Sequence, residues 1–83
     1  MPTDPRPDWV RPRRAEIGHR IARWRSARDL TVDGLADASG LDRKTVMRAE
    51  GASVSTGIDV LLQLAAGLDV PLGRMLDEDP PPR

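Results

Sequence analysis

The stretch LDRKTVMRAEG (41–51) places three cations, Arg43, Lys44 and Arg48, within six residues. On a helix they share a side with Met47, while Val46 and Ala49 turn to the opposite side with Leu41. Chemistry of a definite kind is available to that charged side. An arginine fork matches O6 and N7 of guanine in the DNA major groove, and a lysine makes the same contact less rigidly. Thr45 can bond a phosphate or touch a thymine methyl group, and Met47 offers apolar contact only. The competing reading is a plain solvated face, since charge runs on amphipathic helices are commonly just wet.

No other cluster offers reactive chemistry. The chain has no cysteine and one histidine, His19, so it holds neither a thiolate metal site nor a histidine cluster. It shows no serine–histidine–acid set and no glycine-rich phosphate loop, which argues against an enzyme and against any cofactor. Trp9 and Trp24 are the only aromatic residues, too few for a platform that stacks single-stranded bases. No apolar run reaches the roughly 18 residues of a membrane span, and no signal-peptide core opens the chain. The chain therefore reads as one small soluble intracellular domain.

The zero net charge hides an uneven distribution. Residues 1–48 carry eleven Arg/Lys against seven acids, a net of +4; residues 49–83 carry two arginines against six acids, a net of −4. Such a dipole suits one face to a polyanion.

The elements that must position the charged side are helical throughout. MPTDPRPDWVRPRR has four prolines in fourteen residues, so 1–13 reads as a flexible Pro/Arg-rich arm. Its arginines suit a phosphate backbone or a minor groove, or the arm is only a solubilising leader; Trp9 either docks it or anchors a partner. A first helix begins near Arg14 or Ala15, carries Ile17, Ile21 and Trp24 on one face, and ends around Arg28–Asp29. Thr31 caps a second helix, VDGLADAS, closed by Gly40. Asp42 caps the third, which Gly51 stops. Ser55 or Thr56 caps a fourth, with Ile58, Leu61, Leu64, Ala65 and Leu68 as its apolar stripe. Pro71 opens a short fifth at its first position. The expected fold is all-α: a compact five-helix domain over 14–77, then an acidic Pro-rich tail, 78–83, as loose as the arm. Helices 2 and 3, joined steeply through Gly40, describe a helix-turn-helix.

The run LTVDGLADASGLDRKTV, with Ile17, Ile21 and Trp24 before it and DVLLQLAAGLDVPLGRML after it, resembles the phage-repressor-like (Xre/Cro-type) helix-turn-helix family, related to lambda repressor, from 17 to 76. Asp42 stands in the place of that family's serine and Val46 in that of its isoleucine. Departures occur at Val32, where a glutamine is usual, at Gly34 and Ser39, and at Ala49, smaller than the usual branched residue. The resemblance implies that the third helix (42–50) enters the major groove of double-stranded DNA. Asp42, Arg43, Lys44, Thr45, Met47 and Arg48 would then form the DNA-binding set, with Ser53 and with Val32 through its backbone N–H. It implies that Arg25 pairs with Glu50 and fixes the helix angle. It also implies a homodimer, with Leu68, Leu72, Met75 and Leu76 as the candidate dimer surface.

The expected function is a sequence-specific transcriptional regulator, bacterial and cytoplasmic, on the nucleoid when bound. The alternative is a helix-turn-helix protein-interaction module, an antitoxin-like or adaptor subunit whose partner is a protein.

Overall fold

The computed structural model describes residues 5–52 and 54–82. Five helices follow in order: α1 (Val10–Ala27), α2 (Val32–Ser39), α3 (Arg43–Gly51), α4 (Ile58–Leu68) and α5 (Leu72–Asp77). The fold is all-α, with no strand among the described residues.

Local chemistry sets most boundaries. The Thr31 hydroxyl accepts from Gly34 N at 3.0 Å, and Asp42 Oδ1 accepts from Thr45 N at 2.8 Å. Each side chain thereby satisfies one N–H that a helix start leaves without a partner. Gly40, at φ 70°, closes α2, and Leu41 N–H then bonds back to Ala36 O at 2.9 Å. That left-handed turn, cheap for glycine, aims α3 across α2.

Four expected boundaries shift. α1 begins at Val10, so 10–13 belong to the helix and not to an arm. Pro12 is its third residue, where the missing N–H would have had no intrahelical partner anyway. Gly51 is the last residue of α3, and Ala52, at φ 53°, is the left-handed cap. Gly57 precedes α4 with no side-chain cap, in place of Ser55 or Thr56. Pro71 is the cap of α5 and not its first residue.

The core gathers Ile21 and Trp24 of α1, Leu35 and Ala36 of α2, Val46 and Ala49 of α3, Leu64, Ala65 and Leu68 of α4, then Val70 and Met75. Two residues of the candidate dimer surface belong to this core. Leu68 is 1% exposed and Met75 fully buried, while Leu72 and Leu76 pack half-buried against the same core. The short α5 covers the core with Met75 and keeps Leu72 and Leu76 partly exposed. Ile58, expected in the α4 stripe, instead lies 62% exposed.

The tail is also less loose than expected. The Trp24 indole N–H donates to Glu78 O at 2.8 Å, and Asp79 bonds Arg20 and Arg23. Arg28 and Arg74 lie over the Trp24 ring, 5.3 and 5.5 Å from its centroid. A buried tryptophan gains both a partner for its N–H and cationic contact with its ring.

Candidate nucleic-acid interface

α3 divides into an inner and an outer side. Val46 and Ala49 are buried, whereas Arg43, Lys44, Met47 and Arg48 are exposed and Thr45 is half-buried. Four long side chains, three of them cationic, thus stand together on one solvent-facing surface about two turns long. Asp42 lies at the start of that surface. The Thr45 side chain and then its backbone N–H hold the Asp42 carboxyl below the usual carboxylate range, with Arg48 and Lys44 acting in the same direction from farther away. The cap therefore remains an anion and leaves the surface net basic. Arg43 reaches back across the turn to Asp33, with Nη1 3.6 Å from Oδ2. Both side chains are largely exposed, so the contact contributes little and is cheap to break.

The tilt of α3 is set from behind by α1. Arg25 Nε donates to Glu50 Oε2 at 2.7 Å, and its Nη2 donates to Oε1 at 3.1 Å. Arg25 Nη1 donates to Leu30 O at 3.0 Å. This two-pronged pair is mostly buried, and the Glu50 hydrogen bonds raise the Arg25 pKa further, so its charge is permanent. It ties the end of α1 to the end of α3.

Sequence reasoning missed Gly18, the second fixing point. A Cβ there would lie 2.5 Å from Glu50 O and 2.8 Å from Ala49 O. The backbones of α1 and α3 meet at this crossing, and the small Ala49 belongs to the same close approach. The available signal was a glycine inside a helix, a residue that costs about 1 kcal/mol against alanine unless packing requires it. Ser39 has a similar reason. A side chain on Gly67 of α4 would collide with it, so the two small residues let α2 and α4 cross closely. The Ser39 hydroxyl is buried without a hydrogen-bond partner.

The loop before α4 adds further groups. Ser55 and Thr56, expected as caps, line a shallow cleft of about 160 Å³ with Thr45, Arg48 and Gly57. Hydroxyls thus accompany a cation beside the outer face of α3. Val32 is the first residue of α2; its side chain packs half-buried against the core, leaving only its backbone N–H for a ligand. Ser53 lies outside the described residues. On their other side Ser55 and Thr56 also line a larger groove of about 350 Å³ with Trp9, Val10, Ile17, Ile21 and Leu61, rimmed by Arg6, Arg13 and Arg14.

No family model matches the sequence, and no curated protein matches it significantly. Solved structures do. The restriction-modification controller protein C.AhdI from Aeromonas hydrophila superposes with a TM-score of 0.70 at 34% identity, over 75% of this chain and 92% of that one. The restriction-modification controller protein C.Esp1396I superposes with a TM-score of 0.70 at 27% identity, over 77% of this chain and 87% of that one. The N-terminal DNA-binding domain of SinR from Bacillus subtilis gives 0.69 at 28% identity, over 77% and 94%. With the capped helix-turn-helix and the basic outer face of α3, these likenesses establish that the chain belongs to the phage-repressor-like (Xre-type) helix-turn-helix family of DNA-binding regulators.

Proposed function

We propose that the protein is a sequence-specific transcriptional regulator that inserts α3 into the major groove of double-stranded DNA as a homodimer. One observation carries this reading: the exposed quartet Arg43, Lys44, Met47 and Arg48 stands on a helix whose angle is fixed by the Arg25–Glu50 pair and the Gly18 contact. The first turn of such a helix meets base edges, which gives Arg43 and Lys44 the leading contacts and Arg48 one a turn later. Thr45, Ser55 and Thr56 supply hydroxyls for an adjacent phosphate, and the backbone N–H of Val32, in the first turn of α2, supplies another donor. The relatives named as controller proteins and as a DNA-binding domain support the same assignment.

A single recognition helix reads too few base pairs to single out one site, so the working unit is a dimer on half-sites about 34 Å apart. With Leu68 and Met75 in the core, we assign its contact to Ile58 and Leu62, exposed one turn apart on α4. Such a regulator would work on the nucleoid in a bacterial cytoplasm; among the described residues no helix is long and apolar enough to cross a membrane.

The test is selection of bound duplexes from a random pool, followed by titration of the selected sequence at several salt concentrations. A conserved half-site motif and affinity falling steeply with salt are expected. A second reading is favoured by the groove beside Trp9, which is 67% exposed and stands next to apolar side chains. It makes the domain an antitoxin-like or adaptor module for a protein. No enriched motif, with binding insensitive to salt, would favour that reading.

A further inference from the structure

The end of the described chain lies along α1. Asp79 Oδ1 accepts from Arg23 Nη2 at 2.8 Å, from Arg23 Nε at 3.0 Å and from Arg20 Nε at 3.3 Å. Arg20 is prepositioned: its Nη1 donates to Leu76 O at 2.7 Å and its side chain is only 17% exposed. Arg13 of the same face comes within 3.7 Å of Asp77. Two guanidinium groups therefore converge on one oxygen, an arrangement that like charges adopt only around an anion. The Arg23 and Arg20 hydrogen bonds hold the Asp79 carboxyl below the usual carboxylate range.

That convergence is the chemistry of a phosphate site. A phosphate group offers more charge and more acceptor oxygens to the same two forks than one carboxylate oxygen does. By helical geometry Arg20 and Arg23 lie roughly 140–160° around α1 from Gly18, the residue that touches α3. The basic face of α1 is thus turned away from the recognition helix.

We propose that the Arg20–Arg23 face of α1 is a second phosphate-binding surface, suited to the backbone of duplex DNA, and that the 77–79 segment occupies it as an intramolecular stand-in for phosphate. With the surface filled, DNA contact is confined to α3. With it open, the molecule would hold any duplex at a second point, irrespective of sequence, and specificity would fall. A tethered carboxylate acts at high effective concentration and so excludes weak, non-specific phosphate contacts. The proposal concerns a different face from α3 and stands apart from the groove-reading assignment.

The experiment titrates a labelled random-sequence duplex with the full chain and with the variants Asp79→Ala, Arg23→Gln and the two combined. Asp79 and Arg23 are both half exposed, and circular dichroism verifies the fold. Asp79→Ala should bind random duplex about tenfold more tightly at low salt, with a log–log salt slope steeper by about one to two units, the value for one or two added phosphate contacts. Arg23→Gln should abolish that gain, and the gain should persist in an Arg43→Ala/Arg48→Ala background. A gain of equal size in the presence of Arg23→Gln would reduce the effect to net charge and overturn the proposal. No gain from Asp79→Ala at any salt, or from changing Asp77, Glu78 and Asp79 together to Ala, would overturn it too. Loss of motif selection with the Asp79→Ala gain intact would sink the groove-reading assignment and leave this one standing.

Discussion

Asp42 links helix geometry to charge at the level of the single residue. Its carboxylate caps α3 through Thr45, and its pKa is lowered in the folded chain. A group with a depressed folded pKa contributes stability that is present above its unfolded value, about 3.9, and is lost as pH falls through the folded value. Asp42→Ala should therefore lower the melting temperature at neutral pH, and its deficit against the parent should shrink as the pH drops below about 4. A deficit unchanged down to the acid limit would show that the cap does not act through its charge. Arg25 and Glu50 form the other decisive pair. Removing Glu50 leaves a mostly buried guanidinium with only Leu30 O, so Glu50→Ala should cost about 2–3 kcal/mol in denaturant unfolding. Combined with Arg25→Ala, the loss should be well below the sum of the single losses. Strict additivity would mean that the contact contributes nothing in solution.

Helices meet where side chains are smallest. α1 crosses α3 at Gly18, so Gly18→Ala forces a methyl group onto the Glu50 and Ala49 carbonyls. We expect about 1–3 kcal/mol of destabilisation and, because those carbonyls belong to the helix proposed to read the groove, a loss of DNA affinity even where the protein remains folded. Full affinity in a destabilised Gly18→Ala variant would separate the crossing from recognition. Much of this level was legible in the sequence. Thr31, Gly40 and Asp42 act through local hydrogen bonds and φ preference, which need no knowledge of the rest of the chain, and α2 and the start of α3 fell where they indicate. Pro12 misled because a proline read as a breaker is harmless in a first turn. Gly18 and Ser39 were illegible in their purpose, since each answers a backbone 31 or 28 residues distant in sequence.

At the scale of the whole molecule, the misreadings concern what covers what. The apolar residues of α5 read as surplus to a small core, yet Met75 is fully buried in the same cluster as Trp24. The acidic tail read as a solvated end because Asp77 and Asp79 stand more than fifty residues from the α1 arginines they meet. Charge complementarity at that separation has no local signature. Oligomeric state belongs to this scale too. If Ile58 and Leu62 form the two-fold contact, changing both to Ser should weaken binding to a full site far more than to one half-site. Equal losses on both would place the contact elsewhere.

The most direct test of groove reading by α3 is the affinity of the Arg43→Ala/Arg48→Ala variant for the selected operator and for a scrambled duplex, at one fixed salt concentration. The parent should prefer the operator by about a thousandfold or more. Each arginine fork is worth about 1–3 kcal/mol of discrimination, so the variant should lose most of that preference while its circular dichroism stays unchanged. A folded variant that keeps the parent's full preference for the operator would contradict the assignment of α3 as the reading helix.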